Sequence, residues 1–414
     1  MNLRRDAKVL IDNIIAENLP QQTVGKALAN HAFSKNTYLV AIGKAAWTMA
    51  QKVSDVLGDK LVRGIVVTKY KHSGGTLPRI DIYEAGHPVA DDNTISATHK
   101  CIEMVKDLGV EDELLFLVSG GGSALFEAPL QGITLENIQD VTAQLLASGA
   151  DIVEINMIRK RFSAVKAGRF AQIASPAKIF AIVLSDVLGD RLDSIASGPA
   201  VPDFSTIEDA NKVAQKYKLK LTPLMQEYLK NETPKKIDNV TTVITGSVRT
   251  LCEAAASTAE KLGYTPVVLT TQLNCEASAA GMFLASIATD ISEGLSSFKR
   301  PCAIISGGET VVTLKGSGKG GRNQELALAA AKGISGLEST LIFSLGSDGT
   351  DGPTDAAGGI VDGETAQKLK ERGFDIDEVL ERNDSFNALT AVDDLIVTGP
   401  TGTNVNDVSV ILCG

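Results

Sequence analysis

Short β-branched runs that end in glycine, serine or aspartate recur along the chain and alternate with longer segments of helical period. They include TYLVAIG, GIVVTKY, LLFLVSGGG, IFAIVLSD, TTVITGS, CAIISGGE and LIFSLGSDG. Strand–helix alternation of this kind specifies an α/β protein with mainly parallel, Rossmann-like sheets. In such sheets ligands sit at the carboxyl ends of the strands, so function is sought where the runs stop.

At 414 residues the chain is too long for one ordinary domain, and two are expected. The segment KYKLKLTPLMQEYLKNETPKKIDNV is charged, contains two prolines and carries no strand pattern, which places a boundary near residue 235. The expected domains are therefore 1–235 and 236–414, each α/β. Strand-end loops of similar type, SGGGS and SGGE, occur one in each half, as expected of two facing surfaces with an active-site cleft between them.

Composition removes several classes. A net charge of −10 argues against a protein that coats nucleic acid or an anionic membrane. No apolar run reaches membrane-spanning length. The five cysteines form no C-x-x-C pair, so reduced thiols and a cytoplasmic location are expected, and Arg4, Arg5, Asp6 and Lys8 give the first turn an amphipathic helical character rather than that of a signal peptide. The expected partners are small molecules, with the chain a monomer or homodimer.

Several run ends carry chemistry. In FLVSGGGSALFEAP, Gly120, Gly121 and Gly122 let backbone N–H groups approach an anion, with Ser119 and Ser123 as further donors; a tight turn is the alternative. In YLVAIGKAAWTMA, Lys44 falls at the start of a helix, where the dipole disfavours a cation unless an anion is present; a lysine that bends into water is the alternative. In LKGSGKGGRNQELALAAAKG, Gly316, Gly318 and Gly321 satisfy G-x-G-x-x-G, but the following acidic residue of a dinucleotide site is missing and the Walker order fails at Gly320. What remains is an anion loop with Lys319 and Arg322 at a helix start. Four glycines before Arg322 leave it, on this reading, unpaired and waiting for an anion.

The segment INMIRKRFSAVKAGRFA gathers Arg159, Lys160, Arg161, Lys166 and Arg169, enough charge to clamp a carboxylate or phosphate, or else a solvated face. In IVLSDVLGDRLDSIASGP, Asp186 ends a strand as a base, a metal ligand or a turn cap. GSDGTDGPTDAAGG puts Asp348, Asp351 and Asp355 on one glycine-rich loop, where carboxylates need either water or a cation. The histidines show no zinc spacing, so oxygen-ligated Mg²⁺ fits better.

Taken in order, GKAA, GHPVADDNT, LVSGGGSALFE, EINMIRKRFSAVKAGRFA, LSDVLGDRLDSIASGP, SGGETVV, GKGGRNQELAL, SLGSDGTDGPTDAAGG and PTGTNVNDV resemble the glycerate 2-kinases whose C-terminal part is called the MOFRL domain. The resemblance implies ATP- and Mg²⁺-dependent phosphorylation of D-glycerate at its 2-hydroxyl, giving 2-phosphoglycerate and ADP. It implies Lys44 and Arg322 as cations on phosphate and carboxylate, Asp186 as base, and Asp348 or Asp351 as Mg²⁺ ligand. Ser119 to Ser123 and Gly307, Gly308 and Glu309 become anion or nucleotide loops, and PTGTNVNDV would contribute Thr403, Asn404 and Asp407 as polar lining or else as turn residues. The competing reading is an NAD(P)-dependent hydroxypyruvate reductase resting on the three glycines; a nonenzymatic sensor is a third.

Overall fold

The computed structural model describes residues 2–414, which form two compact units. One comprises residues 24–185 and 190–245; the other comprises residues 2–23, 186–189 and 246–414. Both are α/β, as the run pattern specifies.

The first unit is built on β1 (Asn36–Ile42), β2 (Leu61–Lys69), β3 (Ile80–Ala85), β4 (Asp112–Val118), β5 (Lys178–Leu184) and β6 (Val240–Gly246), in the order β3-β2-β1-β4-β5-β6. The pairs β3–β2, β2–β1, β1–β4 and β4–β5 are parallel. This is the doubly wound order, whose direction reverses between β1 and β4 and leaves a crevice at their carboxyl ends. Leu39, Ala41, Leu115 and Leu117 on one face of these strands are fully buried with Met49, Ala50 and Val53 of the helix Ala46–Leu57. Each of the leucine, methionine and valine side chains among them contributes roughly 1.5–3 kcal/mol on burial. Asp91 starts the helix Asp92–Val105 with a reciprocal cap, its carboxylate accepting from the Thr94 N–H while Thr94 returns the bond.

The second sheet runs β11-β10-β9-β12-β8-β7, with β7 (Thr265–Leu273), β8 (Cys302–Gly308), β9 (Thr340–Gly346), β10 (Gly358–Asp362), β11 (Leu395–Ile396) and β12 (Asp407–Cys413). Strands β7, β8, β9 and β11 share a direction; β10 and β12 run against it, so only β7–β8 is a parallel neighbour pair. The last strand enters between β8 and β9 from the opposite end, which brings Asp407 beside Gly308 and Gly346. That placement matters for the site.

Two helices cover one face of this sheet. Ala277–Ser292 and Arg322–Gly333 approach closely because Gly281 faces Leu326, where any Cβ would collide with the Leu326 carbonyl. Residues 323–331 are all buried, so the helix that begins at Arg322 is fixed on every side. The other face is covered by Val248–Lys261 and by the N-terminal helix Leu3–Glu17, whose Ala7, Leu10, Ile11 and Ile14 share a core with Phe343 and Val410. Among the described residues no helix is long and apolar enough to cross a membrane.

The boundary expected at residue 235 differs from this division. The charged segment before it supplies a short helix, Pro223–Tyr228, and leads into β6, the sixth strand of the first sheet, so that unit closes only near residue 245. The N-terminal helix and residues 186–189 group with the second unit, because contacts rather than chain order define a core.

Leu10→Ala tests the placement of the first helix. It should cost about 2–5 kcal/mol of stability. Hydrogen exchange should then accelerate in β9 and β12 while β1 and β4 keep their protection; faster exchange in β1 and β4 instead would contradict the assignment.

Candidate functional site

In the first unit the crevice between β1 and β4 is braced by its own loops. The Ser119 N–H donates to the Ile42 carbonyl at 3.0 Å, and the Lys44 N–H donates to the Gly120 carbonyl at 2.8 Å. The Ser119 hydroxyl donates to Ile42 at 3.2 Å and accepts from the Ala45 N–H at 3.1 Å. It is therefore engaged within the turn rather than offered to a ligand. Gly43, at φ +114°, admits no side chain, because a Cβ there would strike Ser119.

Gly121, at φ +83°, packs against the His87 ring and the Lys44 chain, so Lys44, His87 and the glycine loop share one place. Burial, and then the charges of Lys44, Lys69 and His72, hold the His87 imidazole below its ordinary value, which keeps it neutral at physiological pH. Among the described residues Lys44 forms no ion pair. The place of His87 has no local signal in the sequence, because its contact with Gly121 is a tertiary one.

The basic segment holds this loop from behind. Lys166 is fully buried and donates to the carbonyls of Ser123 and Phe126 at 2.8 and 3.1 Å, with Glu127 at 3.5 Å. Burial pulls its ammonium down to about 8 against the pull of Glu127. Arg159 reaches the same Ser123 carbonyl at 3.4 Å. Arg161 donates to the carbonyls of Asn231 and Ser205, and Arg169 to those of Lys160 and Ser163. Arg159, Arg161, Lys166 and Arg169 are thus not a solvated face; the hydrogen bonds they make go to backbone carbonyls.

In the second unit, Arg322 is not waiting for an anion. It forks onto Asp407, Nε to Oδ2 at 2.6 Å and Nη2 to Oδ1 at 3.0 Å, and its Nη1 donates to Glu309 at 3.0 Å. Burial opposes its charge, but Asp407 and Glu309 outweigh that and hold the guanidinium above its ordinary value. The four glycines before it removed neighbours along the chain, while the partners arrive from β12 and from the end of β8.

Asp351 caps the same helix from a different loop. It accepts the N–H groups of Asn323 at 3.2 Å and Gln324 at 2.9 Å and the Gln324 side-chain amide at 3.1 Å. Burial raises its carboxyl to about 6, more than these donors lower it. Asp348 is half-buried; its Oδ1 accepts from Thr350, and among the described residues its Oδ2 makes no hydrogen bond. Asp355 is exposed.

Glu309, Arg322, Asp348 and Asp351 line one cavity of ≈ 920 Å³, with glycine backbone from 316 to 321 and an apolar wall that includes Leu188, Val311, Val312 and Leu314. Its size and mixed lining suit a small ligand. Among the described residues no group of three or more His, Cys, Asp or Glu side chains is placed to hold a metal. Mg²⁺ needs only one or two carboxylates besides phosphate oxygens, and Asp348 and Glu309, each with one oxygen unengaged, fit that need better than Asp351.

Other expected residues fall elsewhere. Gly307 and Gly308 are buried in β8, where a Cβ would meet Val248 or the Leu273 backbone, so they serve packing. The exposed Lys319 lies 4.0 Å above the Phe386 ring and is not on the cavity. Asn404 is half-buried and also off the cavity. Asp186 is half-buried just after β5, in the segment whose Leu188 lines the cavity. Gly316 and Gly318 press against the backbone near Arg382, and residues 309–321 separate β8 from the helix, so the glycine pattern does not open a strand–turn–helix fingerprint.

Two family models match separate stretches of the chain. A domain of unknown function, DUF4147, matches residues 6–230, and the MOFRL family matches residues 302–407. A D-glycerate 2-kinase of Thermotoga maritima is 52% identical over 96% of this chain and 93% of its own length. A putative hydroxypyruvate reductase of Agrobacterium vitis is 41% identical over 91% of this chain and 99% of its own. The crystal structure of glycerate kinase from Thermotoga maritima superposes with a TM-score of 0.97 at 51% identity, covering 100% of this chain and 99% of that one.

Asp351 gives a pH signature. Its carboxyl rises from 3.8 to about 6 on folding, so the stability it contributes is present in full below about pH 4 and lost as pH rises through 6. Denaturant unfolding should show that loss as up to roughly 3 kcal/mol, and Asp351→Asn should flatten it. An unchanged pH dependence in the variant would contradict the raised value.

Proposed function

The chain belongs to the glycerate 2-kinases that carry a MOFRL domain, and on that premise we propose that it transfers the γ-phosphoryl group of ATP to the 2-hydroxyl of D-glycerate, giving 2-phosphoglycerate and ADP. The observation that carries this reading is the likeness to a glycerate kinase over the whole chain, both units included, at 51% identity.

Phosphoryl transfer needs little covalent help from a protein. It needs an acceptor held in line, cations on the non-bridging oxygens and a group to receive the hydroxyl proton. Lys44, with no carboxylate partner of its own, takes an anionic group beside the Gly120–Gly122 backbone. Asp186 accepts the 2-hydroxyl proton. Arg322 acts mainly through what it holds, keeping Glu309 and Asp407 at the mouth of a helix whose first turn Asp351 has already capped. Mg²⁺, when bound, supplies charge neutralisation on the phosphate oxygens, and Asp348 with Glu309 would hold it. The cavity beside them takes the nucleotide.

The reductase reading rests on three glycines that pack within the protein, Gly316 and Gly318 against the loop near Arg382 and Gly321 against Asp351, although a relative carries that name. The two readings part in one assay. With ATP, Mg²⁺ and D-glycerate, coupling to enolase should report product, because enolase accepts 2-phosphoglycerate and not the 3-phospho isomer. NADH with hydroxypyruvate should give no steady oxidation; the opposite pattern would replace the kinase by the reductase.

Asp348→Asn should raise the Mg²⁺ concentration needed for half-maximal rate about tenfold or more while leaving cooperative melting intact. Asp355→Asn should change it less than twofold. Equal, small effects from both would make the loop structural.

A further inference from the structure

A second cavity, of ≈ 510 Å³, lies in the first unit against the helix Ile152–Phe162 and the loop that follows β5. Lys160 lines it and is 4% exposed. Its ammonium stands 3.6 Å from Asp203 and 3.9 Å from Asp193, which are ion-pair distances too long for hydrogen bonds. Among the described residues no acceptor hydrogen-bonds to it. A nearly buried ammonium with unfilled donors is costly unless an acceptor comes from outside.

The neighbours show what that acceptor is. Asp203 is already satisfied, accepting from the Ser205 N–H and hydroxyl and from the Thr233 hydroxyl. Asp193 is held by Arg191 at 3.1 Å. Neither is drawn into hydrogen-bonding distance of the ammonium. Asn156, on the same cavity, accepts through Oδ1 from Ser197 at 3.1 Å, and among the described residues nothing accepts from its amide N–H groups. Ser197 in turn meets Ser123 at 2.9 Å, so the cavity adjoins the glycine loop through a chain of side-chain bonds. Buried donors at the wall, with the Asp193 carboxylate beside them to accept a hydrogen bond from a hydroxyl, complement a small molecule that carries both a carboxylate and hydroxyls.

We propose that this cavity is the hydroxy-acid subsite and that Lys160, assisted by the Asn156 amide, takes the carboxylate of the substrate. The identity of the ligand as D-glycerate rests on the kinase reading above; the carboxylate preference rests on Lys160. A charged acceptor is favoured over a neutral one because charge-assisted hydrogen bonds are roughly twice as strong.

Titration calorimetry of D-glycerate into the full chain without nucleotide tests it. Lys160→Met should weaken binding ten- to hundredfold, the scale of a lost hydrogen bond to a charged group, while ATP binding stays within about twofold. Arg191→Gln changes an exposed side chain at the same cavity and should weaken it only a few-fold. D-Glyceramide, which keeps the hydroxyls and lacks the carboxylate, should bind the unaltered protein as poorly as D-glycerate binds Lys160→Met, and this comparison needs no variant to fold. Equal binding of glyceramide and glycerate, or unchanged glycerate binding in a folded Lys160→Met, overturns the subsite while leaving the kinase reading in place. Failure of the unaltered protein to phosphorylate D-glycerate overturns the kinase reading and with it the ligand assigned here.

Discussion

The fork of Arg322 onto Asp407 is the contact around which the second unit arranges its site. It joins the first residue of a buried helix to the first residue of the last strand, 85 positions apart in the chain. Asp407 is almost fully buried, so without Arg322 it would be a carboxylate in a low-dielectric place with Glu309 nearby, and breaking such a pair costs about 3–5 kcal/mol. The strand order gives the reason the pair exists. Because β12 enters between β8 and β9 from the opposite end, its first residue arrives at the carboxyl ends of both. The same insertion that departs from parallel neighbours therefore delivers a carboxylate to the cavity.

The two glycine-rich loops look alike in sequence and differ in physics. In the first unit Gly43 and Gly121 adopt left-handed backbone at a doubly wound switch point, and the loop is fixed from below by a buried lysine. Near Arg322 the glycines make room for other backbone: Gly316 and Gly318 for the loop near Arg382, Gly321 for Asp351. One loop leaves Lys44 without a carboxylate partner. The other brings a cation whose charge is already met within the protein.

How much of this was legible in the sequence follows from what each feature depends on. Strand–helix alternation is local, so the α/β class and the run ends were readable, and Lys44 before a helix stood out because the dipole disfavours it there. The acidic loop was readable as a cluster, but not that Asp351 caps a helix begun thirty residues earlier, since that depends on which loops meet. Arg322 seemed unpaired because chain neighbours are glycines; its partners come through tertiary packing. Gly307 and Gly308 resembled an anion loop, yet strand burial claims them. The N-terminal helix was assigned by chain order, whereas its apolar stripe fits the second sheet. Lys160 is one of five basic residues in its segment, and only the cavity distinguishes it from Arg161 and Arg169, which hydrogen-bond to backbone carbonyls.

The central claim is that Arg322 works as one unit with Asp407 rather than as an independent phosphate clamp. A double-mutant cycle on kcat/KM for D-glycerate, with Arg322→Lys, Asp407→Asn and the combined variant, measures it directly. Strong non-additivity is expected, the combined variant losing scarcely more activity than the worse single one, with a coupling well above the roughly 0.5 kcal/mol seen for independent sites. Losses that simply add would contradict it and return Arg322 to a separate role on the substrate.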